Sequence, residues 1–192
     1  MNLTPAHEIP LEIRRKAVAI HEAGHALVAT FLNRTVAEVV LRPPDGLSGE
    51  TRFAREAAVL ADLNIKADRH FVEDAVVILL AGQVAEAEYW TRLTPLYVPR
   101  VDSHRTDDSE INKLRAQFGL SAEQDAMFVG YCTDKARRIV LHAQSQAAIE
   151  EIARDLADSR SVGGGALSAI LARHEVVQGK LRFASHPWQR RF

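Results

Sequence analysis

AIHEAGHALVATF, residues 19–31, sets two histidines four positions apart, with a glutamate directly after the first, inside an otherwise apolar run. Residues i and i+4 share one face of an α-helix, so His21 and His25 would aim two imidazole nitrogens at one point. A zinc ion held there has water completing its coordination and brings that water's pKa to about 7. Glu22 sits beside the pair, within reach of the water's proton, as a general base would. Gly24 keeps the neighbouring face bare at a cost to the helix of about 1 kcal/mol, which implies a packing reason. The same residues could instead form an ordinary polar turn on a helix. The flanks AVAI and ALVATF argue against that, because two imidazoles and a carboxylate are costly among apolar neighbours unless paired or metal-bound.

Outward from this stretch, helical spacing runs from Leu11 to about Leu32, with Pro10 at its head and Asn33 at its tail. Val39–Leu41 reads as a strand, Pro43–Gly46 as a turn and Ser48–Phe53 as a second short strand. Ala67–Trp90 is a long helix, with Phe71, Ala75, Ile78, Leu79 and Gly82 recurring at helical spacing. Thr91–Arg105 contains two prolines and no clean period, so it is a loop, long enough to suspect function. Asp107–Phe118 is a helix opening on acids. Ser121–Arg160 is mostly helical, with a break expected near Gly130. The glycines at 163–165 read as a linker or a helix terminus, followed by a short helix to about His174. The expected fold is mainly α, of the α+β kind, with a small hairpin. Residues 1–175 form one domain and 176–192 a basic, aromatic tail.

Composition narrows the chemistry. The 192 residues carry 24 basic and 25 acidic side chains, a formal net charge of −1, which makes no electrostatic case for nucleic acid or an acidic membrane. Cys132 is the single cysteine, so an internal disulfide or a cysteine-rich metal site is excluded and any metal must use histidine and carboxylate. AVVILLAG (75–82) is the longest apolar run, far short of the roughly 20 residues of a membrane span. The N-terminus lacks the pattern of a signal peptide. A cytoplasmic protein without a membrane span is expected.

HEAGHALVATFL (21–32) resembles the active-site helix of the FtsH family, the membrane-bound ATP-dependent zinc proteases. VAEVVLRPPDGLSGETRF (36–53) is similar to that family's hairpin, with glycine shortly before threonine. AVVILLAGQVAEAEYW (75–90) resembles its Leu-Ala-Gly helix, with Gln83 where the family usually has arginine. KARRIVLHAQSQAAIEEIARDLADSRSVGGGALSAIL (135–171) is similar to its C-terminal helical segment. These four blocks stand in the family's order across most of residues 14–174. The resemblance implies a zincin-like helical peptidase domain with a small β-hairpin beside the active-site helix, a Zn2+ cofactor, and peptide or unfolded protein as substrate. It also implies an Asp as third zinc ligand, early in the helix that begins here HRTDDSEINKLRAQFG (104–119).

Three acids compete for that position. Four, seven and eleven residues beyond Asp107 lie Ile111, Leu114 and Phe118, all apolar, so Asp107 shares the inward face and ranks first. Glu110 follows, and Asp108, whose face carries Asn112, Arg115 and Gly119, comes last. The structural alternative has Asp107 capping the helix and Glu110 closing a capping box. If Ser48–Phe53 is an exposed edge strand, Gly49, Glu50 and Thr51 would bind an extended substrate by backbone hydrogen bonds, as the resemblance also implies. A plain structural hairpin is the alternative. His70, His104, His142 and His174 have no partner at metal-binding spacing and read as surface or packing residues, with His104 held in reserve for its closeness to the acids. Glu86 and Glu88 could orient a ligand histidine, although solvated helix carboxylates is the simpler account.

No Gly-x-x-x-x-Gly-Lys-Ser/Thr loop occurs, and VGGGAL lacks both the lysine and a preceding strand. A stand-alone peptidase-like domain is therefore expected, working as a homo-oligomer or with a separate ATPase partner. The alternatives are a non-catalytic zinc-binding or protein-interaction domain of the same fold, and metal-dependent hydrolysis of a non-peptide amide.

Overall fold

The computed structural model describes residues 3–54, 66–93, 96–97 and 104–176. The histidine-bearing stretch is central to it. Helix α1 (Leu11–Phe31) is buried without interruption from Ala19 to Ala29. It ends where Asn33 takes a left-handed conformation (φ 61). Asn33 N–H then bonds to Thr30 O at 3.0 Å and Arg34 N–H to Ala29 O at 2.8 Å, so the last carbonyls are satisfied as the chain turns.

Among the described residues five further α-helices and a small sheet are arranged around α1. Helix α2 (Lys66–Leu93) and α5 (Ala143–Ser159) pack along it, α4 (Ala122–Val140) lies against α2, and α3 (Arg105–Ala116) docks on α2. Strand β1 (Val36–Leu41) pairs antiparallel with β2 (Gly49–Phe53) on one side and with β3 (Ser161–Gly163) on the other, in the order β2-β1-β3. Helix α6 (Gly164–Arg173) follows β3 directly and packs on α1, α5 and the sheet. The fold is thus mostly helical with one three-stranded antiparallel sheet. Among the described residues no helix is long and apolar enough to cross a membrane.

Two local features set the site's shape. A Cβ on Gly24 would lie 2.8 Å from Ala81 O and 2.8 Å from Ala85 Cβ, so glycine is what lets α1 and α2 approach at the histidine level. In β1 a register shift between Val36 and Glu38 lets Val36 and Val39 both face the core, although three positions separate them.

Several expected boundaries differ. Helix α4 runs straight through Gly130, and the break falls at Leu141–His142 instead. Glycine costs a helix about 1 kcal/mol, which Phe128, Tyr131 and Cys132, all buried on the same helix, readily offset. The glycines at 163–165 are not a linker. Ser161–Gly163 is a strand, and Gly163 is the N-cap of α6. Gly164 must be bare there, since a Cβ would collide with Val36 O. The expected loop 91–105 loses its first three residues to α2 and its last to α3, and residues 94–95 and 98–103 lie outside the described residues, as does the tail from 177 on.

Candidate metal centre

His21, Glu22 and His25 are 7 %, 7 % and 6 % exposed, at the wall of a cavity of about 430 Å³ between α1, α2, β2 and the start of α3. The helical spacing does bring the imidazoles together: His25 Nε2 lies 2.9 Å from His21 Nε2. Asp107, from the first turn of α3, places Oδ2 3.0 Å from His21 Nε2 and 3.4 Å from His25 Nε2. These three are among the groups whose ligand atoms all fall within 4.8 Å of one another.

The other two acids are elsewhere. Asp108 accepts a hydrogen bond from Gln83 Nε2 (2.9 Å) on the protein surface, and exposed Glu110 pairs with Lys113 (2.5 Å). Asp107 is not a cap either: the N-cap of α3 is His104, and it makes no side-chain capping bond. A capping box does occur, but on α4, between Ser121 and Gln124.

The outer ring nitrogens show which face of each imidazole is available. His25 Nδ1 lies 2.7 Å from Ile78 O, and a carbonyl can only accept, so Nδ1 carries the hydrogen. His21 Nδ1 likewise donates to Glu86 Oε2 at 3.0 Å. With each Nδ1 committed in this way, both Nε2 atoms are directed at one spot, which Asp107 Oδ2 also faces. Three acceptors converging within 3.4 Å call for something positive between them. In the protein alone that is a proton: burial disfavours a charged His21, but the Asp107 and Glu86 carboxylates outweigh it and push its pKa up to about 10. Burial would raise the Asp107 carboxyl, yet its bonds to His21 and His25 hold it well below the usual carboxylate range. Gly82 on α2 leaves the space open, since a Cβ there would collide with His25 Nε2 and lie 2.9 Å from His21 Nε2. Two nitrogens and a carboxylate oxygen around a gap kept clear of side chain is a donor set suited to a divalent cation such as zinc.

Glu22 faces the same cavity from the strand side. Thr51 Oγ1 lies 2.9 Å from Glu22 Oε2 and 3.2 Å from its backbone oxygen, and a Cβ on Gly49 would collide with Glu22 Cγ. Gly49 and Thr51 therefore meet the glutamate, while Glu50 lies between them and pairs outward with Arg42 at 2.9 Å and Arg52 at 3.3 Å.

Glu86 corrects the expectation of a solvated carboxylate, being only 5 % exposed. Its Oε2 lies 3.0 Å from both His21 Nδ1 and His104 Nε2, and its Oε1 accepts from Trp90 Nε1 at 3.0 Å. Burial would raise it, but these bonds bring its pKa down to about 2. Glu88 stays half-buried near Arg92. His104 also departs from its reading as a lone surface or packing residue, with its ring stacked on His21 at a centroid distance of 5.1 Å. Its link to Glu86 crosses 18 residues and two elements, which no spacing rule would pair. No protein-family model and no curated protein matches the chain.

Proposed function

We propose that the protein is a zinc-dependent metallopeptidase of zincin-like fold, in which His21, His25 and Asp107 hold the metal and Glu22 is the general base. The observation that carries this reading is the convergence of three donor atoms beside a fourth, uncoordinating carboxylate in one cavity. A purely structural metal site has no use for Glu22. When bound, zinc would supply the Lewis acidity that lowers the pKa of water at the site and polarises the scissile carbonyl. Glu22, steadied at Oε2 by Thr51, takes the water's proton at Oε1 and returns it to the leaving amine. His21 and His25 keep the tautomer this requires through Glu86 and Ile78.

Among the described residues strand β2 lies at the edge of the sheet, so a substrate segment can add alongside Gly49–Thr51 by backbone hydrogen bonds and lie across the cavity. A cleft of about 430 Å³ accepts an extended segment and not a folded chain. The substrates are therefore peptides or already unfolded proteins, supplied freely or by a separate ATPase. The test is metal analysis together with casein cleavage by wild type and Glu22→Gln. Wild type should hold one zinc per chain, and Glu22→Gln should keep it while losing about 10²–10⁴-fold in rate. A wild type without stoichiometric zinc sinks the reading, and equal rates sink the base assignment alone.

A further inference from the structure

We infer that His104 is a positioning residue of the metal centre, fixing His21 through Glu86 and docking the turn that delivers Asp107. The inference rests on the metal-binding part of the function proposed above. Glu86 Oε2 is shared: His21 Nδ1 and His104 Nε2 each lie 3.0 Å from it. The three side chains are 9 %, 15 % and 7 % exposed for His21, His104 and Glu86, so this is an enclosed arrangement and not a passing surface contact. An ionised carboxylate only accepts, so both nitrogens donate into it. Trp90 occupies the other oxygen, and the carboxylate cannot turn away from the histidines without losing that bond too.

His104 is also the residue from which α3 starts. Its carbonyl accepts Asp108 N–H at 2.8 Å, closing the first turn around Asp107. Its ring lies on that of His21 with an interplanar angle of 26°. One carboxylate on α2 thereby ties the first ligand on α1 to the helix start that carries the third. Breaking the His104 bond loosens both at once: the His21 ring loses the group that holds its partner in place, and α3 loses one tether to α2 while the exposed Gln83–Asp108 bond remains. Partners that orient ligating histidines typically govern metal affinity by about 10–100-fold.

The experiment measures zinc affinity by competition with a chromophoric chelator, and the visible spectrum of the cobalt(II)-substituted protein. The chains compared are wild type, His104→Ala, His104→Gln and His104→Phe. Glutamine can donate to Glu86; phenylalanine keeps the stack on His21 but has no donor. We expect one metal per chain throughout, affinity about 10–100-fold weaker in His104→Ala and His104→Phe with a changed cobalt spectrum, and recovery in His104→Gln. If the ring packing on His21 were all that mattered, phenylalanine would preserve the affinity and glutamine would not restore it, and that pattern overturns the inference. If wild type binds metal and both His104→Ala and His104→Phe match it in affinity and spectrum, the inference is overturned and the metal reading stands. Abolished binding in His104→Ala with binding retained in Asp107→Ala overturns it in favour of His104 as a ligand. Two zinc ions in wild type and one in His104→Ala overturns it in favour of a second cation between His21, Glu86 and His104. A wild type that takes up neither zinc nor cobalt overturns the metal reading and the inference together. Should His104→Ala fail to fold, the comparison of His104→Phe with His104→Gln decides in the same terms.

Discussion

At Gly82 it is the absence of a side chain that matters, because the converging His21 and His25 Nε2 atoms take up the space its Cβ would need. Gly82→Ala should therefore abolish stoichiometric metal uptake while leaving the chain folded, since alanine gains the helix about 0.5–1 kcal/mol against the local crowding. Metal analysis alongside a melting curve checks this; a variant that keeps its zinc would show that the gap is not the metal's. Reading the residues in order finds His21, Glu22 and His25 because their spacing is local and helical. It also ranks Asp107 above Asp108 and Glu110, because a helix repeats its faces in sequence. It offers Glu86 as a partner for a ligand histidine but places a solvated carboxylate ahead of that. AEAEYW looks amphiphilic and solvated, and only the approach of α1 and α3 takes that carboxylate out of water.

Among the elements, the contact of α1 with α2 is tightly constrained. Gly24→Ala sets a methyl group 2.8 Å from Ala81 O, a backbone atom that cannot rotate away. Overpacking of this kind costs about 1–3 kcal/mol, and the helices should separate at the histidine level, lowering both melting temperature and metal affinity. A thermal melt no lower than wild type would contradict it. The contact of α2 with α4 has its own chemistry. Lys135 Nζ lies 3.0 Å from Glu73 Oε1 and 2.8 Å from Asp74 Oδ1, and Tyr131 donates to Glu73 at 2.9 Å. Burial and the Glu73 charge raise the Tyr131 hydroxyl above its ordinary 10.0. Burial alone would lower Lys135, but Asp74 and Glu73 outweigh it and raise it above 10.5. Both groups thus hold their protons more tightly folded than unfolded. Their contribution is complete below about pH 10 and drains away as the pH climbs further. Melting temperatures at about pH 8, 10 and 11 should fall more steeply for wild type than for a Tyr131→Phe, Lys135→Gln double variant. Parallel curves would rule this out.

Across the whole molecule, the last third closes a core that the first third opens. Strand β3 covers the second edge of β1, and Val162, Leu167, Ile170 and Leu171 are all at most 3 % exposed. Ending the chain at Arg160 removes them; at about 1.5–3 kcal/mol each this rivals the whole 5–15 kcal/mol of a typical domain. That truncation should lack a cooperative unfolding transition by circular dichroism, and a sharp transition would mean the first 160 residues fold alone. The fold class and the order of helices were legible from periodicity, and so was the hairpin from its Pro/Gly turn. β3 was not, because three residues have no period to read, and their strand state comes from β1 alone. By itself, then, the sequence determined which helix presents His21, Glu22 and His25, since i and i+4 meet on any α-helix. Only the tertiary structure decided that Asp107 joins them, that Thr51 braces Glu22, and that His104 and Glu86 stand behind His21. Those contacts span from 18 to 86 residues, and at such separations it is packing and not local spacing that chooses partners.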